Sequence, residues 1–234
     1  DNFICSSSYT SAAEKDTVIR LWDVRTRTTI REFFAHSKDV NSIQFSLDEM
    51  KIFSASPDRT IKVWDFSTCG KTRKVFKGHK LRADGFAISP DGKTMVTAGA
   101  DCKVMTWKLG LKETDGESRE GTDGNSREET IDVKPDKTFE HEKVCFACAI
   151  TSDGKYALSG SHDKTVKKWE IEGDTDICLA SITVGAEVQY IAIDDSLDST
   201  HAGTNTFFVA CTDNNIRQFD LTMKADAVPL KVFE

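Results

Sequence analysis

The sequence lacks long apolar runs and has no excess of positive charge. None of its hydrophobic stretches approaches the roughly 18 residues that a membrane-spanning helix needs. It has 31 Lys and Arg against 38 Asp and Glu, so the formal net charge is −7. That balance argues against a bulk electrostatic grip on nucleic acid or on an anionic membrane surface. We therefore predict no membrane association and no strong direct binding of nucleic acid.

The start of the chain and its cysteines favour a reducing compartment. The first residues, DNFICSSS, show no positively charged stretch followed by an apolar core, so no signal peptide is predicted. The chain does not begin with methionine, and we expect it to be part of a longer protein. Its seven cysteines are odd in number and scattered, several of them in apolar runs. We expect buried, reduced thiols in a cytoplasmic or nuclear protein.

The four tryptophans share one register of an internal repeat. An aspartate lies six residues before an aromatic residue five times, and three of those aspartates follow a histidine by 22 residues. The pairs are Asp16/Trp22, Asp58/Trp64, Asp101/Trp107, Asp163/Trp169 and Asp213/Phe219, and the histidines are His36, His79 and His141. Successive aromatics of the register are 42, 43, 62 and 50 residues apart. A base period near 42 is typical of propeller blades made of four antiparallel strands.

The repeat predicts an all-β chain of about five blades. Their ranges are about 1–36, 37–79, 80–142, 143–187 and 188–234. In the clearest unit VNSIQFS, KIFSAS and TIKVWDF are successive strands separated by turn residues. We count about nineteen strands, because the first unit lacks its innermost strand and the chain ends on an outer strand.

These features resemble the WD-repeat (WD40) β-propeller family over essentially the whole chain. The Trp-Asp pair stands at Trp22-Asp23 and Trp64-Asp65, and later units change one member of the pair. The Gly-His pair of the family is intact at Gly78-His79. Most members of the family have seven blades, so the resemblance implies part of a seven-bladed propeller, whose two further blades come from other residues of a longer chain or from another chain.

The resemblance also implies a buried hydrogen-bond network in three units. In the family the histidine bonds to the turn aspartate, and a serine or threonine of the middle strand joins the histidine to the tryptophan. The predicted members are His36, Asp58 and Trp64; His79, Asp101 and Trp107; and His141, Asp163 and Trp169. A buried polar network is stable only when every member is satisfied, which accounts for the fixed spacing. The last unit has neither the histidine nor the tryptophan.

One face of the propeller is the predicted partner surface. The connections into the innermost strands carry basic residues, and in the family these loops surround the mouth of the central channel: Lys38, Lys80, Arg82 and Lys143. The frequent contact position of the family, just before the turn aspartate, is occupied by Lys15, Pro57, Ala100, His162 and Thr212. A cluster of these basic residues would suit an acidic or phosphorylated peptide. Scattered, solvated charges are the alternative.

Residues 111–136 are predicted to be a flexible acidic insertion on the outer rim of a blade. From 112 to 136 the segment has nine acidic and four basic residues and few apolar ones, so it cannot bury enough surface to fold alone. A solvated insertion is one interpretation. The other is a docking segment controlled by phosphorylation at Ser118, Thr122, Ser126 or Thr130.

The sequence predicts no catalytic, cofactor or metal site. Cys145 and Cys148 form a CxxC pattern, but they lie in an apolar strand with no helix start for redox chemistry and no second ligand pair for zinc. No nucleophile elbow or glycine-rich phosphate loop is present. We therefore predict a non-enzymatic scaffold or adaptor that binds other proteins or peptides within a multiprotein complex.

Two alternatives remain open. The segment Trp22-Asp23-Val24-Arg25 matches the WDxR pattern of substrate receptors of cullin-4 ubiquitin ligases, in which the arginine reaches the adaptor. The second such box of those receptors is absent, because Phe66 and Ser67 follow Trp64-Asp65. The other alternative is a propeller subunit of an RNA–protein assembly or a ribosome biogenesis complex, in which the charge balance weakens direct contact with RNA.

Overall fold

The chain forms a row of antiparallel sheets in its computed structural model. The structure describes residues 3–7, 17–34, 36–46, 51–65, 72–110, 131–173, 176–194, 205–223 and 227–233. Twenty strands in these ranges form five sheets, which confirms the all-β class. Within the described ranges no helix has the length and hydropathy needed to span a membrane.

The strands are consecutive within each sheet, apart from one added strand. The first sheet contains β1 (Phe3–Ser7), β2 (Val18–Asp23) and β3 (Thr28–Phe34). The second contains β4 (Ser42–Phe45), β5 (Lys51–Ala55), β6 (Thr60–Asp65) and β7 (Thr72–Lys77), with β11 (Ile131–Val133) added at its edge. The third contains β8 (Ala83–Ile88), β9 (Thr94–Gly99), β10 (Lys103–Lys108) and β12 (Lys137–Glu140). The fourth contains β13 (Cys145–Ile150), β14 (Tyr156–Ser161), β15 (Thr165–Glu170) and β16 (Cys178–Thr183). The fifth contains β17 (Val188–Asp194), β18 (Thr206–Cys211), β19 (Ile216–Asp220) and β20 (Lys231–Phe233).

Two hairpins show how short turn sequences set the register of these sheets. Between β8 and β9, Asp91 accepts hydrogen bonds from the Ser89 hydroxyl at 2.6 Å and from the Lys93 backbone at 3.0 Å. Gly92 follows with a φ of +68°, a left-handed conformation that glycine adopts without steric cost. The same turn recurs between β13 and β14. These bonds fix the strand pairing in each hairpin.

Hydrophobic side chains fill the spaces between successive sheets. Four separate clusters of buried residues each join one sheet to the next. In the second, third and fourth sheets the repeated tryptophan packs against a phenylalanine on the outer strand of the sheet before it, with ring centroids 4.6 to 5.8 Å apart: Phe33/Trp64, Phe76/Trp107 and Phe139/Trp169. In the fifth sheet Phe219 takes this position, and it packs in the cluster that also holds Ile182 of the fourth.

A buried hydrogen-bond network links the histidine to the tryptophan in the third sheet. Trp107 Nε1 donates to Thr97 Oγ1 at 2.9 Å, and Thr97 Oγ1 lies 2.8 Å from His79 Nε2. His79 Nδ1 lies 2.9 Å from Asp101 Oδ1. One proton arrangement satisfies every atom: the Thr97 hydroxyl donates to Nε2, and Nδ1–H donates to the carboxylate.

The second and fourth sheets repeat this network with a serine in place of threonine. Ser54 and Ser159 lie between the tryptophan and the histidine, with all contacts from 2.7 to 2.9 Å. Each turn aspartate also accepts a backbone hydrogen bond from the residue after the histidine, at 2.8 to 3.2 Å. The network therefore hydrogen-bonds the connection between two blades, which carries the histidine, to the turn of the second blade that carries the aspartate.

The first and last sheets depart from the network in different ways. Trp22 Nε1 donates to Ser6 Oγ at 2.8 Å, while Asp16 lies outside the described residues. In the fifth sheet Val209 stands where the others have serine or threonine, and Asp213 pairs with both terminal nitrogens of Arg217. This hydrogen-bonded pair lowers the pKa of Asp213 to about 2. Arg217 is thus the side-chain partner of the turn aspartate in this sheet, as the histidine is in the second, third and fourth sheets.

The end of the predicted acidic insertion is ordered, which corrects the prediction of a flexible loop up to residue 136. Strand β11 pairs in parallel with β7, and Ile131 lies opposite Lys74. The Lys74 ammonium also donates to the carbonyls of Leu109 and Gly110, both at 2.9 Å. Both ends of the insertion are therefore attached to the edge of the second sheet. Residues 111–130, with the four candidate phosphorylation sites, lie outside the described residues.

The network predicts that Thr97→Val destabilises the protein far more than its size suggests. Valine removes the shared hydroxyl and leaves the Trp107 N–H and His79 Nε2 buried without partners. We expect a loss of about 2 kcal/mol or more in the free energy of unfolding, measured from urea unfolding. The matched control is Thr94→Val on the same strand, which we expect to change stability by less than about 0.5 kcal/mol. Equal losses in both variants would contradict the role of the hydroxyl.

The three network aspartates predict loss of stability in acid. Burial disfavours their ionised form, but hydrogen bonds from the histidine and neighbouring groups outweigh it, so the pKa of Asp58, Asp101 and Asp163 is lowered. The unfolded chain then binds more protons as the pH falls below about 4. Their contribution is therefore fully present above that pH and is lost below it. Urea unfolding at several pH values measures this decline.

Asp101→Asn should reduce the loss of unfolding free energy at low pH, while Asp84→Asn should not reduce it. Burial raises the pKa of Asp84, so its titration acts in the opposite direction. An acid decline that Asp101→Asn leaves unchanged would show that other groups cause it.

Candidate interaction surface

Two kinds of loop meet at one end of the sheets. In three sheets the residue before the turn aspartate donates its backbone N–H to the connection that enters the innermost strand, at 2.9 to 3.0 Å: Ala100 to Arg82, His162 to Val144 and Thr212 to Glu187. In the second sheet this position is Pro57, which has no N–H. There the Ser56 hydroxyl donates to the Lys38 carbonyl at 3.4 Å. The two loop sets predicted to form the partner surface are therefore joined in each of these sheets.

The basic residues of these loops are exposed. Lys38, Lys80, Arg82 and Lys143 are all exposed. The side chains of the three lysines make no hydrogen bond or ion pair with another described residue. Thr212 is also exposed, Pro57, Ala100 and His162 are half-buried, and Lys15 lies outside the described residues.

A line of side chains runs across the second, third and fourth sheets at this end. Asn41 Nδ2 donates to Asp84 Oδ1 at 3.0 Å, and Arg82 Nε donates to Asp84 Oδ2 at 3.0 Å. The Arg82 guanidinium then lies over the Phe146 ring, 5.2 Å from its centroid. Such cation–π contacts are favourable at a partly exposed site. Polar bonds and a stacked ring thus connect three blades.

The line continues to the fifth sheet through His162. Its ring centroid lies 4.4 Å from that of Phe146, and its Nε2 lies 3.0 Å from Gln189 Nε2. The contact with Gln189 joins the fourth sheet to the fifth. A carboxylate oxygen of Glu187 is 3.6 Å from the same nitrogen. We call the whole set the cross-blade line: Asn41, Asp84, Arg82, Phe146, His162 and Gln189.

The centre of the cross-blade line is held tightly. The Asp84 side chain is only 7% exposed, and both of its carboxylate oxygens accept hydrogen bonds. Burial raises its pKa, and the neighbouring Arg82 opposes that rise. The next residue, Gly85, has no room for a side chain, because a Cβ there would lie 2.6 Å from the Phe146 carbonyl oxygen. Strands β8 and β13 therefore approach closely at this point.

Sequence reasoning missed four members of the line, although a signal for them exists. Asn41, Asp84 and Phe146 each lie five residues after a network histidine. Gln189 occupies the matching place in the fifth sheet, two residues after the Glu187 carbonyl that accepts the Thr212 N–H. One position of the repeat therefore carries four different residues, all on the same rim.

The innermost strands line a groove below this rim. The groove has a volume of about 730 Å³ and is walled by β4, β8, β13 and β17. Its lining is mixed, with Gln44 and Ser152 beside Phe146 and the Tyr190 ring, which is 67% exposed. A ligand that contacts the cross-blade line can extend into this groove.

Other candidate residues lie elsewhere. Arg25 is exposed in the turn between β2 and β3, where Asp23 Oδ1 accepts its backbone N–H at 2.7 Å. This turn is at the opposite end of β2 from the predicted partner loops. Cys145 is buried, burial raises the pKa of both CxxC thiols, and that of Cys148 reaches about 12. Such thiols stay protonated and unreactive.

Comparison with known proteins agrees with the architecture. The family model described as "WD domain, G-beta repeat" matches residues 27–65, 70–108 and 133–170. Pre-mRNA-processing factor 17 of Saccharomyces cerevisiae is 24% identical over 94% of this chain and 43% of its own length. Denticleless protein homolog B of Xenopus laevis is 26% identical over 95% of this chain and 34% of its own length. The Ribosome biogenesis protein WDR12 homolog of Drosophila persimilis is 25% identical over 88% of this chain and 47% of its own length.

Each matched segment contains the outer strand of one sheet and the first three strands of the next sheet. Each ends one residue after a repeated tryptophan, at Trp64, Trp107 or Trp169. The chain spans less than half the length of the three relatives. With its antiparallel blades and matching repeat segments, the chain belongs to the WD40 repeat family.

Proposed function

We propose that this chain is a non-enzymatic scaffold that binds a protein partner through the rim marked by the cross-blade line. The observation that carries the proposal is the joining of loops from successive blades into one surface, with a different side chain contributed by each blade. Loops fixed by buried networks lose little conformational freedom on binding, so a peptide docks at low entropic cost. The known members of a fold family serve many functions, and the surface is what selects the partner.

The charges on this rim favour an acidic segment of the partner. Lys38, Lys80 and Lys143 are exposed and have no anionic partner among the described residues, and Arg82 adds a fourth positive charge. The chain as a whole has a net charge of −7. Opposite charges across an interface increase the association rate and the specificity. A phosphorylated segment would satisfy the same charges.

Reversing these four charges should abolish partner capture. We expect full-length protein with Lys38, Lys80, Arg82 and Lys143 changed to glutamate to lose its main partners in affinity purification with mass spectrometry. The matched control reverses four exposed basic residues in turns or strand ends of the opposite rim: Arg27, Lys93, Lys108 and Lys155. It should keep the partners. Equal retention by both variants would refute the proposed surface.

A place in an RNA–protein assembly is consistent with the relatives. Their names include a pre-mRNA-processing factor and a ribosome biogenesis protein. In this proposal the chain acts in the nucleus or the cytoplasm. It contacts the proteins of the assembly rather than the RNA. Repeating the purification after ribonuclease treatment distinguishes direct contact with proteins from contact through RNA. Partners that remain bound support protein contact, and partners that dissociate support contact through RNA.

The second candidate function is that of a receptor subunit of a cullin-4 ubiquitin ligase, and the exposed position of Arg25 favours it. If Arg25 contacts the ligase adaptor, Arg25→Glu should remove the adaptor from the purified complex and leave rim-bound partners in place. Arg27→Glu, two residues along the same turn, is the control. An unchanged partner list with Arg25→Glu would exclude this role.

A further inference from the structure

We infer that Arg82 is a preorganised fork that binds a carboxylate side chain of the partner. The inference rests on the proposed function and specifies which residue of the rim recognises the anion, and by what chemistry. The remaining basic residues of the rim then contribute only long-range electrostatic attraction to an acidic partner.

Arg82 is held in place by two different contacts. Its Nε is occupied by Asp84 Oδ2 at 3.0 Å, and its guanidinium lies over the Phe146 ring. Neither of its terminal Nη atoms has an acceptor among the described residues, and the side chain is 46% exposed. The remaining edge of the guanidinium therefore faces solvent with its N–H donors free. That edge has the geometry for two parallel hydrogen bonds to one carboxylate.

The support behind Arg82 is itself fixed. Asp84 is 7% exposed and is also bonded by Asn41 from the neighbouring sheet. Phe146 comes from a third sheet, and the close approach at Gly85 sets its distance from β8. Three blades thus determine the orientation of one guanidinium. A lysine on a mobile stem must lose more side-chain freedom than this arginine to bind the same anion.

The surrounding charges favour a carboxylate over a phosphate. Asp84 lies directly behind the guanidinium, and Glu187 lies 3.6 Å from His162 on the other side of Phe146. A phosphate brings nearly two negative charges and is usually held by several cations. A carboxylate brings one charge and needs only the open edge of Arg82. The inferred ligand is therefore an aspartate or glutamate of an extended peptide.

Oriented peptide libraries test the inference with a defined probe. Three libraries of short peptides share random neutral flanks and differ only at a fixed central residue: glutamate, phosphoserine or glutamine. We expect the wild-type protein to retain the glutamate library over the glutamine library by about tenfold, the size expected for a charged bidentate contact. The phosphoserine library should bind less well than the glutamate library.

Variants distinguish bidentate binding by the Arg82 guanidinium from binding by positive charge alone. Arg82→Lys keeps the charge but loses the fork, and we expect it to lose the preference as fully as Arg82→Gln. Lys93→Gln and Lys155→Gln each remove an exposed positive charge from the opposite rim and should keep the preference. Phe146→Leu should weaken it, because the guanidinium loses the ring beneath it. Urea unfolding of each variant shows whether the fold is intact.

The outcomes distinguish this inference from the proposed function. A glutamate preference that survives Arg82→Lys would overturn the fork and leave the acidic-partner surface standing. A stronger preference for phosphoserine would overturn the choice of carboxylate. No preference in the wild-type protein would overturn both the fork and the acidic character of the proposed partner.

Discussion

The architecture depends on one hydroxyl group in the middle strand of each complete blade. It accepts the indole N–H and donates to the imidazole, so it joins the packing between blades to the loop above them. The tryptophan ring fills the space against the preceding sheet, and its N–H would cost free energy in that apolar setting without an acceptor. Thr97, Ser54 and Ser159 provide that acceptor. The tryptophan both packs between the blades and belongs to the hydrogen-bond network, so the two requirements fall on the same residues. This accounts for the strict spacing of the repeat.

This constraint leaves one position of the repeat free to vary. The network fixes the histidine, and the backbone bonds that follow it fix the path into the innermost strand. The side chain five residues after the histidine then always reaches the rim. The blades carry asparagine, aspartate and phenylalanine there, and the fifth sheet carries glutamine at the matching place. The rigid part of each repeat places the residue, and the variable part determines what the surface can bind.

The sequence predicted the parts that repeat and missed those that occur once. The all-β class and the family follow from the tryptophan register, and the structure brings together the residues of each predicted network. Arg217 was not foreseen as the partner of Asp213, because other units also carry a basic residue four positions after the aspartate, such as Arg20 and Lys62, and this position alone does not show which residue pairs with the aspartate. The parallel pairing of β11 was missed because a three-residue strand at the end of an acidic segment has no periodic signal. The stack of Arg82 on Phe146 depends on the distance between two sheets, and no local pattern encodes that distance.

Because the acidic segment is attached near Lys74, the boundary between the second and third sequence repeats is a poor site for truncating the protein. The segment belongs by sequence to the third unit, yet β11 completes the edge of the second sheet. A chain cut after residue 79 would keep the second repeat whole by sequence but would expose the backbone groups of β7 that β11 now covers. Bare strand edges of this kind promote association between chains. Truncated or circularly permuted chains should therefore keep the second and third blades together.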